Sequence, residues 1–159
     1  MKNIAVLYTK YTPTIDAVKY RLKKYKVDAV TEIQDTSKYD LVILCGYEGT
    51  YNGNALMCHH SLLPAFNSKE PEKDAIIGGV KVTGITIRFT NPERIVAQYP
   101  VFITNSMHYE ELKQELEYLE QTIFPLVINK VLENEPFELQ SLINKGCNGN
   151  CGGCSSCSH

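Results

Sequence analysis

No stretch of the chain approaches the roughly 20 consecutive apolar residues that a bilayer-spanning helix requires, so no such helix is expected. A basic excess is also absent. Sixteen Lys and Arg against eighteen Asp and Glu leave a formal charge of −2, which argues against a general nucleic-acid binder. There is no Gly-x-Gly-x-x-Gly, no phosphate-binding P-loop and no internal repeat. The opening Met1-Lys2-Asn3-Ile4 enters a short apolar stretch without a cleavage-site pattern, so no signal peptide and a cytoplasmic location are expected. Cysteine is scarce through the body of the chain. Only Cys45 and Cys58 precede residue 147, each beside apolar neighbours and expected to be a buried small hydrophobe. A secreted disulfide scaffold would spread its cysteines through the fold.

What is present is globular: 159 residues, 43 % hydrophobic and 21 % charged, the size of one ordinary domain. Asn3–Tyr8 reads as a short strand. Thr14 is placed to cap a helix over Ile15–Tyr25, with Ile15, Val18 and Leu22 on one face and a solvated basic face of Lys19, Arg21, Lys23, Lys24 and Lys26. Val27–Ile33 reads as a second strand. The run Asp40-Leu41-Val42-Ile43-Leu44-Cys45, apolar from Leu41 onward and ending at Gly46, has the pattern of a central parallel strand. Residues 47–54 form a loop, Ala55–His60 a further strand, and Glu72–Ile77 a helix stopped by Gly78-Gly79. Val80–Phe89 and Arg94–Phe102, joined by a very short connection, predict an antiparallel pair. The longest helix is expected over Met107–Leu132, striped by Leu112, Leu116, Leu119, Ile123, Leu126 and Val127, with a kink or break at Pro125. Glu135–Lys145 is a short amphipathic piece.

This alternation predicts an α/β fold, a mostly parallel sheet flanked by helices. Ligands in such sheets bind beyond the carboxyl ends of the strands, here near residues 8–14, 46–53 and 59–64. On an extended strand His59 and His60 point to opposite faces, so at most one is expected to line a site, and Cys58 shares the face of His60. A Cys58/His60 pair has the chemistry of a nucleophile or of two metal ligands, although a buried strand thiol is the commoner outcome.

The segment His59-His60-Ser61-Leu62-Leu63-Pro64-Ala65-Phe66 resembles the active-site signature of the folate-dependent formyltransferases. That signature reads Asn-x-His-Pro-Ser-Leu-Leu-Pro, and five of its eight letters stand here in register. Residues 79–87 and 95–98 resemble the strands that follow it in the glycinamide ribonucleotide branch of the family, and residues 120–128 resemble its long C-terminal helix. The resemblance runs from about residue 1 to 137. It implies a Rossmann-type three-layer architecture, a reduced folate such as 10-formyltetrahydrofolate as formyl donor, and His59 as the histidine that polarises the formyl carbonyl. Met57 stands where the family has Asn, and a thioether cannot donate a hydrogen bond. The family's Asp falls in a loop that is shorter here, leaving Asn91 or Glu93 to take its role. Arg88 stands at the position of a second histidine. Ser61 and Leu62 of the signature, with Lys10 and Arg88, are the expected substrate-binding residues. The family's phosphate-holding Gly-Ser-Asn type loop is replaced by residues 9–14, where Pro13 offers no amide, so an amine other than glycinamide ribonucleotide is the expected acceptor.

The chain closes with Cys147-x3-Cys151-x2-Cys154-x2-Cys157 among Gly, Asn and Ser. Four thiolates at this spacing suit a [4Fe–4S] cluster or zinc, and dithiol redox chemistry and an unliganded tail are the other readings. A formyltransferase-like domain over 1–137, a linker over 138–146 and a cysteine-rich tail over 147–159 are therefore expected. One function is one-carbon transfer to a small-molecule amine. The other is a binding module of the same fold whose tail serves metal, cluster or redox chemistry with a protein partner.

Overall fold

The computed structural model describes residues 1–144. The tail cysteines Cys147, Cys151, Cys154 and Cys157 lie outside the described residues. A six-stranded sheet runs in the order β2-β1-β3-β4-β5-β6. Its strands are β1 (Asn3–Leu7), β2 (Lys26–Val30), β3 (Leu41–Leu44), β4 (Leu56–His59), β5 (Val82–Thr90) and β6 (Glu93–Phe102). The first four are mutually parallel, and β5 and β6 add antiparallel to one edge. The helices are α1 (Pro13–Arg21), α2 (Pro71–Gly78), α3 (Tyr109–Leu132) and α4 (Leu139–Asn144).

Strand alternation sorts the side chains into two unequal layers. Ile4, Val6, Ile43, Leu56, Ile85 and Ile87 face α1 and α3, where Ile15, Val18, Leu112, Leu116, Phe124, Val127 and Ile128 complete one continuous core. The other face carries the small cluster Ala5, Val42 and Ala55, covered by Ile33, Tyr39, Leu44 and Tyr51. The third layer of the architecture is thus made, among the described residues, of loops and the 3-10 turn Thr36–Lys38.

Several boundaries differ from the sequence expectation for identifiable reasons. Helix α1 begins at Pro13, whose fixed φ and missing N–H suit the first helical position, and Thr12 rather than Thr14 is the N-cap residue. It stops at Arg21 because Leu22 turns into the core and the chain must reach β2. Strand β2 ends at Val30, where its partner β1 ends at Leu7. Helix α3 continues through Pro125 without a break. Pro125 lies within the buried stripe beside Phe124, Val127 and Ile128, whose packing offsets one missing backbone donor. Gly79 closes α2 in the left-handed conformation at φ 66°, as the Gly-Gly pair predicts. No helix among the described residues is long and apolar enough to cross a membrane.

Candidate functional site

The carboxyl ends of β1, β3 and β4 open onto a cavity of about 440 Å³, within the size range of small-molecule sites. Its floor is tied together by backbone bonds, with the amides of Thr9 and Lys10 both donating to the Gly46 carbonyl at 2.9 Å. Gly46 is required there. Its φ is +63°, and a Cβ would stand 2.3 Å from the Lys10 carbonyl oxygen. A second chamber of about 480 Å³ adjoins the first, bounded by Leu44, residues 46–51 and Met57. The two share Lys10, Thr12, Cys45, Gly46, Cys58 and Glu120. The cavity therefore lies where the strand polarity places it, near residues 8–14, 46 and 59–60.

Both His59 and His60 border the first chamber, a departure from the expectation that only one would. Strand alternation does separate them, but β4 ends at His59 and the sheet no longer divides its two faces beyond that point. Their partners differ completely. His59 meets a loop carbonyl, its Nε2 lying 3.1 Å from the Phe66 oxygen. A carbonyl can only accept, so Nε2 carries the proton and Nδ1 is the nitrogen left for a ligand. His60 meets helix-borne acids: Nδ1 lies 2.6 Å from Glu72 Oε1 and Nε2 3.1 Å from Glu120 Oε2. Burial would push the His60 imidazole down, but the two carboxylates outweigh it and hold its pKa at about 10. For Glu72, burial pulls upward, and the His60 hydrogen bond prevails and holds the carboxyl below its usual range. Thr14 Oγ1 donates to the same Glu120 oxygen at 3.3 Å. Burial raises both nearby thiols, Cys45 to about 12 and Cys58 well above its ordinary value.

Glu72 and Glu120 were not among the residues the sequence singled out as functional. For Glu120 a signal exists. It stands third in the four-residue spacing Leu112, Leu116, Glu120, Phe124, an acid on the buried stripe of α3. Glu72, in the first turn of α2, has only its buried position to mark it, and sequence does not report that.

The other expected site residues are distributed as follows. Lys10 borders both chambers. Ser61 is buried, its Oγ donating to the Ala65 carbonyl at 2.6 Å, while its own carbonyl accepts from Thr86 Oγ1 at 2.6 Å. Leu62 packs over Gly84 in β5. Arg88 sits opposite Met57, with Nη1 3.7 Å from Glu93 Oε1 and a buried Nε that has no hydrogen-bond partner among the described residues. Asn91 is in the β5–β6 turn, where its Nδ2 donates to the Asn52 carbonyl at 3.0 Å. The register pairs Leu56 with Phe89 and His59 with Thr86. Asn91 and Glu93 consequently lie toward the amino end of β4, roughly 15 Å from His59 at about 3.3 Å per residue.

Residues 3–128 match the formyl transferase family. Over 127 residues the chain is 31 % identical to phosphoribosylglycinamide formyltransferase of Bacillus subtilis, covering 71 % of this chain and 64 % of that protein. It is 27 % identical over 105 residues to formyltetrahydrofolate deformylase of Haemophilus influenzae, covering 64 % of this chain and 38 % of the relative. The chain thus spans less than two thirds of the length of these relatives. Its fold is that of glycinamide ribonucleotide transformylase 1 from Symbiobacterium toebii, with a TM-score of 0.73 at 23 % identity over 84 % of this chain and 89 % of the other. It also matches phosphoribosylglycinamide formyltransferase from Bacillus halodurans, with a TM-score of 0.68 at 22 % identity over 82 % and 95 %. With a signature around His59, a mostly parallel sheet and a cavity at its carboxyl edge, the chain belongs to the formyl transferase family.

Proposed function

We propose that the chain moves a formyl group from a reduced folate to an amine other than glycinamide ribonucleotide. The observation that carries this reading is the pair of adjoining chambers at the end of β4, with the signature histidine on the wall of one of them. A transfer reaction needs two substrates side by side. The chamber lined by Leu44, Tyr47, Tyr51 and Met57 has the aromatic and apolar character that suits a flat pterin-like ring. The first chamber, with Glu117 on its wall beside the His60 cluster, suits a neutral amine, and Lys10 between the two suits an anionic group on either substrate.

The amine nitrogen attacks the formyl carbon, and the carbonyl electrons move to oxygen. His59 Nδ1 takes the proton that the amine loses. The imidazolium so formed then donates to the folate nitrogen as the carbon–nitrogen bond breaks. With Nε2 engaged by Phe66, His59 acts here as the base and not as the group that polarises the formyl carbonyl, and Met57 supplies no donor to the oxyanion either. Losing one such donor typically costs roughly 10²–10³ in rate. Asn91 and Glu93 sit roughly 15 Å from His59, in a turn held by the β5–β6 pairing and by the Asn91–Asn52 hydrogen bond, and take no part in this step. Pro13 removes an amide from the loop after β1, which disfavours a ribonucleotide phosphate there.

A thermal-shift titration with a reduced formyl-folate tests donor binding. At 100-fold over Kd the ligand adds about 2.7 kcal/mol, or some 2–4 °C or more for a domain of this size. Formyl release from the same folate, assayed against a panel of amines, should fall by about 10²–10⁴ in His59→Ala. Undiminished turnover in that variant would sink the proposal.

A further inference from the structure

Cys58, His60 and Glu120 come from three different places in the chain, the interior of β4, the residue just past it and the middle of α3. Their ligand atoms nevertheless all lie within 4.8 Å of one another. We propose that this triad is a binding site for a borderline divalent ion of the zinc(II) type, with Glu72 as the residue that orients His60. The site is separate from the tail cysteines and from the formyl-transfer role of His59.

The donor set is one thiolate sulfur, one imidazole nitrogen and one carboxylate oxygen, all of which zinc accepts. Spacing fits as well. His60 Nε2 and Glu120 Oε2 stand 3.1 Å apart, and two ligands at zinc distances on a tetrahedron stand about 3.3 Å apart. The strongest indication is the other side of the imidazole. His60 Nδ1 is already bonded to Glu72 Oε1 at 2.6 Å. A carboxylate on the far nitrogen is the arrangement by which metal-binding histidines are fixed in tautomer and orientation, and it leaves Nε2 as the coordinating atom. In the metal-free protein the proton on Nε2 occupies the ion's place between His60 and Glu120. The ion displaces that proton and the one on the Cys58 sulfur, and both pass to solvent.

Three protein ligands leave one tetrahedral position unfilled. All three residues border the 440 Å³ chamber, and Cys58 and Glu120 border its neighbour too, so that position faces space open to water or a substrate atom. This is the coordination of a reactive site rather than a structural one.

The test uses the full chain with Cys147, Cys151, Cys154 and Cys157 each changed to Ser, so that tail thiols take up no metal. After exposure to Zn²⁺ and gel filtration, the expected content is one ion per chain. Loaded with Co²⁺ instead, the same protein should show a thiolate-to-cobalt absorption, which only Cys45 or Cys58 remains to supply. That absorption should survive Cys45→Ser and vanish in Cys58→Ser. Glu72→Gln should weaken zinc binding by about 10–100-fold while leaving the ligands in place. Failure of the four-serine chain to retain any ion, or to show the cobalt–thiolate absorption, overturns the proposal without recourse to a buried-site variant. Loss of the absorption in Cys45→Ser with persistence in Cys58→Ser overturns the assignment equally.

Discussion

The two faces of the sheet share every strand and differ in what each buries. Toward α1 and α3 the strands present Ile4, Val6, Ile43, Leu56, Ile85 and Ile87, large side chains that are 0–1 % exposed. Toward the loops they present Ala5, Val42 and Ala55, a core of small side chains with partly exposed residues over it. The ends of β4 inherit this difference. His60, on the helix side, finds two carboxylates anchored on α2 and α3. His59 finds a single backbone carbonyl in the segment that follows the strand. Rigid helices can hold charged groups at fixed positions within a cavity. A loop supplies backbone atoms and a surface that can move when a ligand binds.

The sharpest way to break the comparison is to remove the cation on the helix side. His60→Ala leaves Glu72 and Glu120 facing each other in a largely buried setting. In metal-free protein at pH 7 this should cost about 3–5 kcal/mol by denaturant unfolding. Adding Glu72→Gln to the same chain should restore part of the loss. The cluster also sets a pH dependence. Its histidine pKa rises from 6.5 to about 10 on folding, so its contribution is complete below pH 6.5 and is lost as the pH rises toward 10. Glu72 has the opposite sign. Its contribution is complete above its ordinary value of 4.5 and is lost as the pH falls through its lowered folded value. The melting temperature of wild type should therefore decline between pH 6.5 and 10 more steeply than that of His60→Ala.

Packing gives the next contrast. Leu116→Ala empties a fully buried position on the helix side and should cost about 2–5 kcal/mol. Val42→Ala on the loop side removes two methyl-sized groups from the smaller cluster, and about 1–2 kcal/mol is expected. Equal losses in the two variants would mean that the loop layer packs as tightly as the helices. Gly46→Ala addresses the junction between the faces. The new Cβ must displace the Lys10 carbonyl and also adopt a positive φ. About 1–3 kcal/mol is expected, together with weaker formyl-folate binding in the same thermal-shift assay, because Lys10 borders both chambers.

Most of the architecture was legible in the residues. The run of residues 40–45 announced a central strand, and β3 lies between β1 and β4. The short turn at Asn91-Pro92 announced the antiparallel β5–β6 pair. The stripe of Leu112 and Leu116 announced α3. The loop layer was not legible, because residues 31–55 contain turn formers and short apolar pieces whose burial depends on what they fold against. The site divides in the same way. Strand polarity placed the cavity beyond β1, β3 and β4, and the Ser-Leu-Leu-Pro segment marked His59. The partners of His60 lie 12 and 60 residues away, on helices where most acids are solvated, as Glu110 and Glu111 are.

The sequence alone determined the elements, their order and the edge of the sheet where chemistry would lie, because periodicity and strand polarity are local properties of the chain. Only the tertiary structure decided that Glu72 and Glu120 enclose His60, that Cys58 stands beside them, and that Asn91 and Glu93 sit at the far end of β4. Those relations depend on how α2 and α3 cross the sheet and on the register of β5, and no local pattern encodes the distance between residues that meet only on folding.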